Sequence, residues 1–196
     1  DGKKVYRLES LEGVQNEVSL VDIATASMVN NMYETQFTAT VSSPVSPPPF
    51  MVGMAEVEID KETGDIRVIN YEATVDCGVP INPNLAKVQT EGGLAQGIGM
   101  ALYEDVTYGK HGEILENSLM QYKIPTRQDV GKINVDFEVS YEPSQAFGAK
   151  SIGEVVINTP SPAIAHAVYN ATGTWFRELP ITPEKILKAL NEKNKQ

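Results

Sequence analysis

An α+β fold is expected from three features of the 196-residue chain. Alternating strand patterns meet across a tight turn, helix starts are marked by Asn-Pro, Ser-Pro and Thr-Pro, and an apolar share of 41% is enough for a packed core. Strands and helices occur in mixed order, with no internal repeat and no low-complexity tract.

Residues 3–9 read as a short strand. Ser19 caps a helix over Leu20, Ile23 and Ala24, and Asp22 completes a weak capping box. Residues 33–42 alternate Phe37, Ala39 and Val41 with Gln36, Thr38 and Thr40, a half-buried strand. Pro44, Pro47, Pro48 and Pro49 end it, because proline fits neither a sheet interior nor a helix interior. Residues 44–50 therefore form a rigid extended joint, either a link between subdomains or a packed loop. The loop is preferred because Phe50, Met51 and Val52 follow at once.

Ala55, Val57 and Ile59 alternate with Glu56, Glu58 and Asp60, and Ile66 and Val68 resume the pattern beyond Lys61-Glu62-Thr63-Gly64. This is an antiparallel hairpin with one wet, acidic face. Residues 71–77 lead toward a third strand. Asn82-Pro83 starts a helix, with asparagine as N-cap and proline at the first helical position.

Residues 84–104 hold Gly92, Gly93, Gly97 and Gly99. Each glycine inside a helix costs about 0.8–1 kcal/mol against alanine. Either close packing on neighbouring elements or backbone offered to a ligand, in an interrupted helix, would account for that cost. Ile133, Val135, Phe137 and Val139 form another alternating strand. A glycine-bearing loop, Phe147-Gly148-Ala149-Lys150-Ser151-Ile152-Gly153-Glu154, comes next. Ser161-Pro162 opens a helix that Gly173 ends, with Ala163, Ala167 and Ala171 as a small-residue row; Thr182-Pro183 opens the last.

Composition narrows the function. Sixteen Lys and Arg against 26 Asp and Glu give a formal charge of −10, which argues against a nucleic-acid binder. The single cysteine, Cys77, cannot form an internal disulfide or hold an iron–sulfur cluster, and it suits a reducing, cytoplasmic setting. Its apolar neighbours suggest a buried, inert thiol. No apolar run reaches a membrane span. The first residue is Asp1 rather than Met, so a processed product, a trimmed chain or a fragment is expected, with a function that can belong to something larger.

Motif tests remove further classes. Gly97-Ile98-Gly99 lacks the third glycine of a dinucleotide fingerprint, since Leu102 stands there. Gly148-Ala149-Lys150-Ser151 has the wrong spacing for a phosphate loop. His111 and His166 stand in no metal-ligand spacing, so no residue is assigned to a metal. What remains is Gly153-Glu154, a carboxylate in a glycine-bearing loop followed by Val155, Val156 and Ile157. Apolar walls poise such a carboxylate as a base near neutral pH. The alternative is a surface glutamate before a buried strand.

Seven segments in order carry a resemblance. They are Ala55-Glu56-Val57-Glu58-Ile59-Asp60 with Glu62-Thr63-Gly64; Asp76-Cys77-Gly78 with Ile81-Asn82-Pro83; Gln89 with Glu91-Gly92-Gly93; Gln96-Gly97-Ile98-Gly99 with Ala101-Leu102-Tyr103-Glu104; Tyr122-Lys123-Ile124-Pro125-Thr126; Gly148-Ala149-Lys150-Ser151-Ile152-Gly153-Glu154; and Leu179-Pro180-Ile181-Thr182-Pro183-Glu184. Together they resemble the C-terminal portion of the molybdenum-binding subunit of the xanthine dehydrogenase/aldehyde oxidase family, the molybdenum hydroxylases. Ser151 departs from the family loop, which commonly has glycine there.

The resemblance implies that residues 1–196 are part of a molybdopterin-binding domain. It implies a molybdenum-bearing molybdopterin, as a cytosine dinucleotide, with iron–sulfur clusters and FAD on partner domains or subunits. By the same resemblance Glu154 is the catalytic base, and Gln96, Gly97 and Gly153 contact the cofactor. The implied reaction hydroxylates an electron-poor carbon of a small molecule (a purine, aldehyde or N-heterocycle) with water-derived oxygen. The implied partners are the remainder of the subunit and the iron–sulfur and flavin components. The competing reading is a non-catalytic module that keeps the fold for subunit interaction.

Overall fold

The structure, a computed structural model, describes residues 4–6, 17–30, 38, 40 and 42–193. The chain divides into two compact units, Asp1–Ser42 and Ser43–Gln196. In the first, strands β1 (Lys4–Tyr6) and β2 (Glu17–Ser19) pair antiparallel, and helix α1 (Leu20–Asn30) follows. Its start carries the N-cap half of the expected capping box: the Asp22 N–H donates to Ser19 Oγ at 3.0 Å, while Asp22 Oδ2 accepts from that hydroxyl at 2.7 Å instead of from the Ser19 backbone. The strand expected over residues 33–42 falls largely outside the described residues.

The second unit is built on a three-stranded mixed sheet in the order β3-β4-β5. β3 (Phe50–Ile59) and β4 (Ile66–Asp76) form the expected hairpin. Asp60 Oδ1 closes its turn by accepting from the Glu62 N–H at 2.8 Å, and Gly64 takes φ +78°, where a side chain would be strained. Between the pairs Glu56–Asn70 and Val57–Val68 the register skips Ile69, a bulge. Residues 71–77 do not begin a third strand, because β4 runs on through the bulge to Asp76. The third strand is β5 (Lys132–Phe137), which pairs parallel to β4.

Helix α2 (Pro83–Leu102) supplies the crossover between the parallel strands. Its start is as expected: Asn82 Oδ1 accepts from the Leu85 N–H at 3.0 Å, and Pro83 opens the first turn. The glycines do not interrupt it. Three allow close packing: a Cβ at Gly93 would stand 2.2 Å from Val156 Cγ2, one at Gly97 2.6 Å from Pro160 Cγ, and one at Gly99 2.8 Å from Pro125 Cδ. Helix α3 (Pro160–Thr172) starts one residue before the expected Ser161 and ends at Gly173, φ +66°. Its buried row is Pro160, Ile164, Val168 and Thr172 rather than the alanine row. Helix α4 (Pro183–Lys193) closes the described chain.

One face of the sheet packs on the helices. Ile66 and Val68 of β4 join Ile98, Ala101 and Leu102 of α2, Ile164 and Val168 of α3, and Ile186 of α4 in one core cluster. Tyr71, Ala73, Val135 and Leu94 make a second cluster. The opposite face carries Glu56 and Glu58 near the turn and Glu72 and Asp136 farther back, and along β3 Phe50, Val52 and Met54 are exposed. The result is a two-layer mixed α/β architecture, within the expected α+β class. In the proline segment the Val45 carbonyl accepts from Gln145 Nε2 at 3.0 Å, while Pro44, Val45 and Pro48 are exposed. No helix among the described residues is long and apolar enough to cross a membrane.

Candidate cofactor-facing site

The exposed face of α2 and the loop before α3 form a cleft of about 400 Å³, lined by Gln89, Gly92, Gly93, Gln96, Gly153, Glu154 and Ile157. Gln89, Gly92, Gly93 and Gln96 recur at helical spacing, which puts them on one stripe of α2. Across from them Glu154 precedes a single 3-10 turn, Val155–Ile157. That segment is a turn rather than a buried strand. Val156 is fully buried against Gly93, which fixes the distance between loop and helix.

The polar groups of the cleft are open. Glu154 and Gln96 are exposed, and neither side chain has a hydrogen-bond or ion-pair partner among the described residues. Gln89 Nε2 donates a long bond of 3.4 Å to the Gly153 carbonyl. A Cβ at Gly92 or Gly153 would meet nothing within 4 Å. The apolar walls expected around Glu154 are therefore not supplied on its open side by the described residues. Gly97 is buried on α2, faces Pro160, and does not line the cleft. The structure thus brings Gln96, Gly153 and Glu154 together and sets Gly97 behind them.

The loop carrying Glu154 is tied down at its other end. Lys150 Nζ lies 2.6 Å from Asp76 Oδ2, with the side chains 7% and 20% exposed. Asp76 Oδ1 also accepts from Ser140 Oγ at 2.6 Å and from the Gly78 N–H at 3.0 Å. Burial alone would raise the Asp76 carboxyl, but the Lys150, Ser140 and Gly78 donors outweigh it and hold the pKa at about 2. Backbone bonds reinforce the junction, from the Lys150 N–H to the Cys77 carbonyl at 2.7 Å and from the Val79 N–H to the Gly148 carbonyl at 2.9 Å. Beside it Cys77 is buried, and that burial pushes its thiol pKa up.

The remaining motif segments serve as scaffold. Tyr122 donates its hydroxyl to Glu104 Oε2, and Pro125 sits against Gly99, which seats that segment on the end of α2. The Ile181 N–H donates to the Ala101 carbonyl at 2.8 Å, and Lys185 Nζ to the Pro180 carbonyl at 2.9 Å. His166 meets the edge of Trp175, ring centroids 4.9 Å apart. Among the described residues no group of His, Cys, Asp and Glu could hold a metal ion.

Sequence reasoning did not assign Gln89, Gly92 or the Asp76–Lys150 pair to the site. The signal for the first two was available: Gln89, Gly92, Gly93 and Gln96 stand at i, i+3, i+4 and i+7. The ion pair joins residues 74 apart and leaves no local pattern.

The chain matches the molybdopterin cofactor-binding domain model over residues 3–131. It is 37% identical over 187 residues to the probable hypoxanthine oxidase XdhD of Escherichia coli K12, spanning 93% of this chain and 19% of that protein. It is 32% identical over 196 residues to the 6-hydroxypseudooxynicotine dehydrogenase complex subunit gamma of Paenarthrobacter nicotinovorans, spanning 94% of this chain and 24% of that one. The quinoline 2-oxidoreductase of Pseudomonas putida 86 superposes with a TM-score of 0.65 at 36% identity, over 69% of this chain and 18% of that chain. A Cu,Mo-CO dehydrogenase shares the fold over 98% of this chain and 26% of its own, with a TM-score of 0.80 at 23% identity. The chain belongs to the molybdopterin cofactor-binding domain family, related to the large subunits of xanthine dehydrogenases, CO dehydrogenases and aldehyde oxidoreductases.

Proposed function

We propose that this chain forms one wall of the cofactor cleft of a molybdenum hydroxylase and supplies its catalytic base, Glu154. The observation that carries this reading is the unpartnered Glu154 carboxylate facing Gln96 and Gly92 across an open cleft. The residues fit a large group brought in from outside the chain. Gly92 and Gly153 leave room where a Cβ would project, and Gln89 and Gln96 offer amide donors and acceptors. With two amides and one carboxylate at the wall, this chain would contact the organic part of a molybdopterin rather than ligate its metal.

When bound, that group supplies the two-electron oxidation and the water-derived oxygen. Glu154 would take up a proton at its carboxylate, a contribution worth about 10²–10⁴-fold. Gln96 orients the group by hydrogen bonds, and Gly92 and Gly153 let it approach the backbone. Gly97 acts indirectly, by letting α2 lie close to Pro160. The cofactor is proposed as the cytosine dinucleotide form, and the substrate as a small molecule with an electron-poor carbon: a purine, an aldehyde or an N-heterocycle. The rest of the molybdenum-binding subunit would close the cleft and wall off Glu154, and iron–sulfur and flavin components would take the electrons. A cytoplasmic setting goes with those partners.

The competing non-catalytic reading is separated by two substitutions in the assembled enzyme. Gln96→Ala should lower molybdenum content, whereas Glu154→Gln should keep the metal and lose turnover per metal. Full turnover per metal in the Glu154→Gln enzyme would remove Glu154 as the base.

A further inference from the structure

We infer that Lys150 is a positioning residue for Glu154, clamping the loop that bears it to the end of β4 through the Asp76 carboxylate. The inference rests on the proposed role of Glu154. It is carried by the contrast between the two ends of the loop and its middle. At one end the Lys150 ammonium is nearly buried on Asp76 at 2.6 Å, and its backbone N–H holds the Cys77 carbonyl. At the other end Val156 is fully buried against Gly93 of α2. Between them Ser151, Gly153 and Glu154 are exposed, and the side-chain bond that crosses the cleft is the long one from Gln89 to the Gly153 carbonyl.

Asp76 is a suitable anchor because it ends the most deeply buried strand. Tyr71 and Val75 on that strand are fully buried, and Asp76 is held from two further directions by Ser140 and the Gly78 N–H. The ring of Phe50 on β3 flanks the ammonium, its centroid 5.3 Å from Lys150 Nζ. Glu154 follows the clamped Lys150 after only Ser151, Ile152 and Gly153, so losing the ion pair loosens the near end of the short link that carries the carboxylate. A misplacement of about 1 Å at a reacting group can cost about 10²-fold in rate.

The test is hydrogen exchange and kinetics on the assembled holoenzyme carrying Lys150→Met, Lys150→Arg, or Lys150→Met with Asp76→Asn. Lys150→Met should raise exchange of the amides of residues 79 and 150, which hold the Gly148 and Cys77 carbonyls, by about tenfold or more, while α2 and β4 keep their protection. It should lower kcat per molybdenum by about 10²-fold with little change in KM. Lys150→Arg keeps the charge and should restore both. The double variant leaves no unpaired buried charge, so it should recover thermal stability yet keep the fast loop exchange and low kcat. Wild-type exchange of the amides of residues 79 and 150 in the double variant, or recovery of kcat along with its stability, would overturn the inference. So would loss of protection across α2 and β4 in every variant. The exchange result bears on Lys150 whatever Glu154 does; a Glu154→Gln enzyme of normal rate would instead overturn the base assignment alone.

Discussion

Gly97 lies so close to Pro160 that a Cβ on Gly97 would stand 2.6 Å from Pro160 Cγ. The contact joins the middle of α2 to the first residue of α3 and sets the depth of the cleft wall. Gly97→Ala should therefore destabilise the fold. Alanine gains about 1 kcal/mol in helix propensity, but overpacking costs about 1–3 kcal/mol, so a net loss of up to about 2 kcal/mol is expected. Chemical denaturation checks this, and a stabilised variant would show that α3 yields without cost.

Gly92 makes the opposite prediction from the same helix. Nothing lies within 4 Å of its Cβ position, so Gly92→Ala should stabilise the chain by about 0.5–1 kcal/mol. In the assembled enzyme the added methyl projects into the cleft and should lower molybdenum content. Metal analysis alongside denaturation reads both effects. Full metal loading would mean that no group approaches this part of α2.

Acid should weaken the tie between β4 and the Glu154 loop. The Asp76 pKa is about 2 in the fold against 3.8 as a free side chain. A folded-state pKa below the unfolded one means the stabilisation is complete above 3.8 and is lost as pH falls from 3.8 toward 2. Asp76→Asn leaves the Lys150 ammonium buried without its counter-charge and should cost about 3–5 kcal/mol at neutral pH. That deficit should shrink across the same acid window, followed by urea denaturation at stepped pH. A deficit independent of pH would separate Asp76 from the acid response.

Much of the scaffold was legible because its signals are local. The hairpin followed from period-two alternation around Asp60 and Gly64, and both helix starts from Ser19 with Asp22 and Asn82 with Pro83. The errors came where tertiary contacts decide. A bulge at Ile69 carries β4 past the point where alternation suggested a new strand. The glycines of α2 read more readily as ligand contact than as packing, and their neighbours divide them: Val156, Pro160 and Pro125 face three, and open space faces Gly92. Val155–Ile157 has the composition of a buried strand yet forms one turn, with Val156 alone fully buried. The pairing of Lys150 with Asp76 was invisible because no periodicity links residues 74 apart.

The proton-accepting role of Glu154 is tested most directly by substrate-driven reduction of the metal in a stopped-flow experiment on Glu154→Gln. Glutamine keeps the size of the side chain and loses the ability to take up a proton. With molybdenum content verified as wild type, the account predicts reduction slowed by about 10²–10⁴-fold, or about 3–5 kcal/mol in barrier. A fully loaded variant reduced within a few-fold of the wild-type rate would contradict it and leave Glu154 a surface carboxylate beside the cleft.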